Sequence, residues 1–369
     1  MTRIAYVLTQ DRGGPVDMTL TLAETMLQSG EFDVRVFGPP PAKGHRLLEQ
    51  NFTCMAVDRK EDLAGIWRMR SMLRSWRPDV VHAHDRRAGL AVTDLGLLRC
   101  GPRAVVHTYH GVPYDVGEQW FRGEKGARPP SFYSRAILAG DAAIAARMTR
   151  TVVPSTSMVD FLRSRLRVPR RRLVHIDNGV ELPDVTPVRG PVRRLLFIGN
   201  LYPVKGLMDL LDALSKPGVM PGDATLDVAG DGPERLKAET LACQPPLAGR
   251  VRFLGFRADV AELLQHHDAL VLSSRIEQQP LVVAQAMGAG RPVLATRVGD
   301  VPKMLEISGA PRYLAPPGDV EALAAELVQL FANPNPAALG RELAIRARIR
   351  YAPATCAAAH AKLYESLLC

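Results

Sequence analysis

The stretch "VELPDVTPVRGPVRRLLFIGN", residues 180–200, changes character partway along. Pro183, Pro187, Gly190 and Pro191 crowd its first part. Proline locks φ and removes a backbone donor, so neither a helix nor a central strand runs through such a segment. From Arg194 the chain becomes apolar, "RLLFIGN", as a strand that begins afresh. A chain of 369 residues has room for two ordinary domains. This stretch is where one ends and the next starts.

Both sides of the break repeat one pattern. Before it, "RIAYVLTQ", "FDVRVFGP", "DVVHAH", "AVVHTYHG", "TRTVVPST" and "RRLVHIDNGV" read as short β-runs. Between the first two, "PVDMTLTLAETMLQSG" has helical apolar spacing and ends on Gly30 as a C′ glycine. After the break come the helix "GLMDLLDALSK" and the strands "ATLDVAGDG", "VRFLGF", "ALVLSS" and "PVLAT", with helices between them. Strands separated by helices imply parallel sheets covered on both faces. The expected fold class is therefore α/β: two doubly wound parallel-sheet domains facing an interdomain cleft at the carboxyl ends of both sheets. The expected ranges are 1–185 for the first domain, 186–194 for the linker and 195–350 for the second. A last helix, about 352–369, is expected to pack back on the first domain.

Composition narrows the class. Hydrophobic residues make up 47% of the chain, enough for a large core without disulfides or metal. No apolar run is long enough to span a bilayer, and "MTRIAYVLTQ" reads as a first strand rather than a signal peptide. The five cysteines are scattered, odd in number and never in a C-x-x-C pair. That favours a reducing compartment, cytoplasmic by default, and argues against a zinc site. Charge is uneven: residues 1–190 hold 28 Lys and Arg against 20 Asp and Glu, and residues 191–369 hold 19 against 18. A basic half beside a neutral half points to an anionic partner for the first half, with nucleic acid and an anionic membrane surface as candidates.

Several turns carry chemistry. Gly13-Gly14 follows the first β-run and opens a helix, where backbone N–H groups face a ligand; it lacks the G-x-G-x-x-G dinucleotide spacing. His110, in "HTYHGVP", lies just past a strand end; His82 and His84 lack an acidic third ligand and read as structural or acceptor-side groups. Lys205-Gly206 occupies the first strand-to-helix loop of the second half, where a lysine supplies a point charge for a diphosphate. "VAGDGPE" and "FLGFRADV" add glycine turns at strand ends. Glu277 follows "ALVLSS", and the helix "PLVVAQAMGAG" aims the amides of Leu281 and Val282 at the place Lys205 faces. A carboxylate accepts from sugar hydroxyls and helix amides bind a diphosphate, the equipment for gripping a nucleotide sugar. The loop "DVGEQWFRGEKGARPPSF" is long, polar and Gly/Pro-rich, with Trp120, Phe121 and Phe132 expected to be exposed or half-exposed.

Together these motifs resemble the family 4 retaining glycosyltransferases of the GT-B fold. The resemblance covers nearly the whole chain and is most specific in residues 195–305. It rests on Lys205-Gly206, Gly230-x-Gly232-Pro233, Phe253-x-Gly255, Glu277 and the run "QAMGAGRPVLATRVGDVPKML", with Gly13-Gly14, His110-Gly111 and Asn178-Gly179 in the first half. The resemblance implies transfer of a hexose-type sugar from a nucleoside diphosphate sugar, with retention, onto a glycan or lipid-linked acceptor. It gives Glu277 the donor sugar hydroxyls, His110 the reacting sugar, and Lys205 with the Leu281 and Val282 amides the leaving diphosphate. Arg257 would border the base pocket through its backbone. Neither a metal nor another cofactor is expected, and no nucleic-acid partner.

Two positions depart from the family pattern. Asn200 stands where the family has an arginine beside the lysine, and Gln285 stands at the second glutamate of E-x7-E, the residue that grips the ribose. Glutamine keeps hydrogen bonding but loses charge assistance, on the order of 1 kcal/mol or somewhat more per bond. Two alternatives stand beside the transferase: a donor-impaired partner subunit of another glycosyltransferase, and a nucleotide-sugar epimerase of the same fold. "LAGIWRMRSMLRSWRP" (63–78) and "FLRSRLRVPRRR" (161–172) are basic and partly apolar. They predict peripheral association with the inner face of an anionic membrane.

Overall fold

The structure, a computed structural model, describes residues 1–41, 50–57, 62–95 and 101–369. Cys100 lies outside them; Cys54, Cys243, Cys356 and Cys369 are free thiols. The chain forms two compact units, one of residues 1–115, 121–181 and 351–369, the other of 116–120 and 182–350.

In the first unit β1 (Thr2–Val7), α1 (Gly14–Gln28), β2 (Phe32–Gly38), β3 (Phe52–Cys54), α2 (Leu63–Trp76), β4 (Val80–Ala83) and α3 (Arg86–Val92) are followed by β5 (Ala104–Thr108). Then come α4 (Glu118–Arg122), whose residues 118–120 belong to the second unit, α5 (Phe132–Arg147), β6 (Arg150–Val153), α6 (Thr156–Ser164) and β7 (Leu173–His175). The strands are all parallel in the order β3-β2-β1-β4-β5-β6-β7. Strands buried on both faces need apolar side chains at every position rather than at alternate ones. β4 is buried throughout, as is most of β1. Caps define where helices begin: Asp62, Asp85, Ser131 and Ser155 each accept from a backbone N–H in the first turn of the helix that follows.

The second unit repeats the plan. It runs β8 (Arg194–Ile198), α7 (Leu207–Leu214), β9 (Thr225–Ala229), α8 (Arg235–Ala242), β10 (Val251–Gly255), α9 (Val260–His266) and β11 (Ala269–Leu272). It continues with α10 (Leu281–Gly288), β12 (Val293–Thr296), α11 (Val301–Met304), β13 (Tyr313–Ala315), α12 (Val320–Phe331) and α13 (Pro336–Tyr351). Its parallel sheet has the order β10-β9-β8-β11-β12-β13. The final helix, α14 (Pro353–Leu368), returns to the first unit and packs on α1. Its Tyr364 hydroxyl lies 2.6 Å from His82 Nδ1 and 3.2 Å from the Tyr6 hydroxyl, all buried.

Each sheet reverses its winding direction once, at β1/β4 and at β8/β11. At such switch points the loops leaving the two carboxyl ends diverge and open a crevice, where α/β sheets bind ligands. β8 and β11 lie far apart in sequence yet are neighbours in the sheet, so the loop holding Lys205 and the loop holding Glu277 meet.

One sequence expectation is overturned here. Phe121 is buried, 3% exposed, and stacks on Phe161 with ring centroids 4.6 Å apart. Its loop folds back on α6, an outcome that the polar composition around it hides. Phe132 is exposed and Trp120 half-buried.

Candidate active site

In the second unit Lys205 ends a 3-10 turn, Pro203–Lys205, and its ammonium forms an ion pair with a Glu277 carboxylate oxygen. Both side chains are mostly covered, 27% and 15% exposed, so each charge depends on the other. The Ser274 hydroxyl donates to the same carboxylate oxygen at 3.1 Å. Backbone contacts lock the two loops. Arg275 N–H donates to the Val204 carbonyl (2.7 Å), and the Ser273 hydroxyl to the Lys205 carbonyl (3.2 Å). Gly206 sits at φ +65°, where a Cβ would lie 2.1 Å from the Ser273 carbonyl oxygen; only glycine allows that approach.

Pro280 precedes α10, and the Leu281 and Val282 amides, as the helix's first two, have no intrahelical acceptor. Gln285 lies one turn further along the same helix, half-buried. Asn200 is exposed on the turn after β8, where its carbonyl accepts from Tyr202 N–H at 2.8 Å. Arg257 follows the edge strand β10 and turns its guanidinium to Asp259, Nε to Oδ1 2.7 Å. The structure thus joins Lys205 and Glu277, the latter in the loop that leads into α10.

Two contributors were not read from the sequence. Arg275 chelates Asp209, at 3.0 and 2.7 Å, tying the Glu277 loop to the first turn of α7. Its signal was weak because neither residue belongs to a spaced motif. Glu118 accepts from Gly299 N–H at 3.1 Å. Gly299, at φ +49°, lies against the carbonyls of Glu277 and Gln278, and Asp300 N–H donates to the Gln278 carbonyl at 2.9 Å. Glu118 is buried, a placement its Gly-rich surroundings did not announce.

The first unit holds Gly13, Gly14 and His110. Gly13 caps α1 at φ +102°, accepts from Val16 and Asp17 N–H, and is exposed like Gly14. His110, half-buried, ends a run of imidazoles of which His82, His84 and His360 are buried. His82 and His84 ring centroids are 4.1 Å apart, His84 and His110 5.8 Å, and His82 and His360 5.6 Å. Burial depresses the basicity of all of these, His110 to about 3 and His360 to about 4, with neighbouring histidines adding to the fall at His110. His110 is therefore a neutral hydrogen-bonding group at physiological pH. His82 is held by Tyr364 and by the Thr108 hydroxyl, 2.7 Å from Nε2. No group of His, Cys, Asp and Glu with metal-binding spacing occurs among the described residues.

Two family models match the chain: "Glycosyltransferase Family 4" over residues 12–183 and "Glycosyl transferases group 1" over residues 192–333. N-acetyl-alpha-D-glucosaminyl L-malate synthase of Bacillus anthracis is 36% identical over 154 residues, 42% of this chain and 39% of that protein. Glycogen synthase of Mycobacterium tuberculosis (strain CDC 1551 / Oshkosh) is 28% identical over 283 residues, 75% of this chain and 65% of that protein. Both matches thus span less than two thirds of the relative. Among solved structures, Anabaena HepE in complex with UDP and glucose superposes with a TM-score of 0.79 at 19% identity, over 99% of this chain and 100% of that one. Models of family 4 and group 1 on successive halves, over two parallel sheets that each reverse once, place the chain among the family 4-like glycosyltransferases of the GT-B fold.

Proposed function

We propose that the chain is a retaining glycosyltransferase moving a hexose-type sugar from a nucleoside diphosphate sugar to a glycan or lipid-linked acceptor. The observation that carries this reading is the Lys205–Glu277 pair beside the start of α10. In the free protein each charge satisfies the other. A diphosphate offers Lys205 a stronger partner, with the Leu281 and Val282 amides and the positive end of α10 completing the anion site. The carboxylate of Glu277, held by Ser274, is then left to accept hydrogen bonds from the donor sugar. Lysine and helix amides stabilise charge as it develops on the leaving group, so the reading requires no divalent ion. His110, uncharged, would serve the reacting sugar as a hydrogen-bonding group, and Gln285 would hold the ribose as a neutral amide.

The test is nucleoside diphosphate release from GDP-, UDP- and ADP-sugars without acceptor, together with Glu277→Gln. At least one donor is expected to be hydrolysed slowly. The variant is expected to lose about a hundredfold in turnover, as oxyanion-type substitutions do, with its melting temperature nearly kept. Wild-type turnover in Glu277→Gln sinks the assignment; silence with every donor favours the partner-subunit alternative.

The same reading extends to a membrane surface. On α2, Met69 and Leu73 are buried, while Leu63 (76%) and Trp67 (67%) stand exposed beside Arg68 and Arg74. An apolar pair among cations suits an anionic interface. Among the described residues no helix is long and apolar enough to cross a membrane. Flotation with anionic liposomes, lost at high salt and reduced in Trp67→Ser, is the expected result; no salt-sensitive flotation refutes it.

A further inference from the structure

The first unit contains a cavity of about 270 Å³ between α3 and α5. Leu90, Tyr133 and Ile137 form its apolar sides, and Arg86, Arg87 and Asp141 line it as well. Two arginines against one carboxylate give the lining a positive balance. Asp141 is 3% exposed and fully engaged. It accepts from Arg86 Nε (2.6 Å), Arg86 Nη2 (2.9 Å) and the Tyr109 hydroxyl (2.8 Å). Arg86 Nη2 also reaches the Gly111 carbonyl at 3.4 Å. Tyr109 and Gly111 flank His110, so the polar end of the cavity is built from the two residues that hold the His110 turn.

The apolar end is left uncovered. Leu90 is 42% exposed and Tyr133 71%, and Phe132, next in line on α5, is 84% exposed. Gly140 lies in the middle of α5 and lines the cavity, and a Cβ there would meet nothing within 4 Å. Glycine weakens a helix interior relative to alanine, and here no neighbour demands it. Its effect is to keep the groove open. The volume holds about nine water-sized groups, at or below the small end of ligand pockets. Its sides are apolar, so they suit a segment of alkyl chain better than a sugar whose hydroxyls would find no partners there.

We infer that this groove is the aglycone subsite of the acceptor: the alkyl chain of an anionic amphiphile lies between α3 and α5, and its phosphate meets the arginine end. Its sugar or hydroxyl is thereby presented at the His110 turn. The inference rests on the glycosyltransferase reading and names the acceptor class for it. The positive lining selects an anion, the exposed apolar side chains select a chain, and continuity with the Tyr109–Gly111 turn joins the two to the chemistry.

The probe is decyl phosphate below its micelle concentration, titrated calorimetrically against the whole protein, with inorganic phosphate as the control. Wild type is expected to bind decyl phosphate at least about tenfold more tightly than phosphate. Gly140→Leu, which fills the groove with a better helix former, is expected to weaken decyl phosphate at least about tenfold and to leave donor hydrolysis unchanged. Leu90→Gln, at a partly exposed position, should weaken it in the same direction and stands in if Gly140→Leu folds poorly. Equal affinity in wild type and both variants overturns the inference, as does binding abolished by Trp67→Ser alone, which would place the probe on α2. Absence of donor hydrolysis in wild type would instead sink the glycosyltransferase reading, with the calorimetric result standing on its own.

Discussion

Gly299→Ala tests the donor-side geometry through a residue that presents no side chain. The built Cβ lies 2.4 Å from the carbonyl oxygens of both Glu277 and Gln278, so the two loops must part by about 0.6 Å to reach a 3.0 Å contact. At φ +49° alanine also carries a left-handed cost of about 1–2 kcal/mol. Parting the loops stretches the bond from Asp300 N–H to the Gln278 carbonyl, worth about 1 kcal/mol. The sum, about 2–3 kcal/mol, corresponds to a melting temperature lower by about 4–12 °C for a unit of this size. Displacement of Glu277 adds a kinetic effect. A 1 Å misplacement costs about a hundredfold, so a smaller shift is expected to lower donor hydrolysis about tenfold. Gly309→Ala is the control: it has a similar φ, +73°, but nothing within 4 Å of its Cβ. It should show the conformational cost alone, with activity intact. Differential scanning calorimetry and nucleoside diphosphate release measure both effects. If Gly299→Ala matches the Gly309→Ala control in both, the close approach of the 299 turn does not position Glu277, and the reasoning fails.

Two further outcomes follow from other parts of the molecule. Gln285→Glu should tighten donor binding by about tenfold, since a charged acceptor strengthens each hydroxyl bond; equilibrium titration with the donor identified by hydrolysis measures it, and unchanged affinity removes Gln285 from the ribose. The buried histidines make the first unit acid-labile. Their folded basicity lies below the ordinary value, so the unfolded chain takes up protons first as pH falls below about 6.5. Stability is complete above that pH and drains away toward the folded values, about 3 for His110 and about 4 for His360, at about 1.4 kcal/mol per pH unit for each group. A melting temperature unchanged between about pH 7.5 and about pH 5.5 contradicts the neutral, buried assignment.

Much of this was legible in the sequence because parallel strands advertise themselves. A strand covered on both faces reads as an unbroken apolar run, and "ALVL" and "RLLFI" became β11 and β8. The proline cluster told where one pattern stops. Lys205 and Glu277 could be singled out because each sits in a loop just past a strand run. That they touch follows from β8 and β11 being neighbours, a property of sheet order and not of spacing. What stayed hidden depended on partners remote in sequence. Phe121 was judged by its polar neighbours, but Phe161 decides its burial. Arg275 belongs to no spaced motif, and its role follows from Asp209, 66 residues away in sequence, standing opposite it. The sequence marks 63–78 as basic and partly apolar, yet only packing reveals that Leu73 is inside and Leu63 and Trp67 are outside.

The return of α14 to the first unit bears on how the protein is made. Residues 182–350, nearly all of the second unit, leave the ribosome before the segment that finishes the first. Domains usually fold in the order of synthesis; here the earlier one must wait. Until Tyr364 arrives, the hydroxyl of Tyr6 and the Nδ1 of His82 lack the hydroxyl they meet in the finished fold, and the flank of α1 that α14 covers is bare. A nascent chain halted just before Tyr351 would carry the strands of both sheets but leave α1 without the helix that covers it, so chaperone demand during translation should concentrate on the half that was made first.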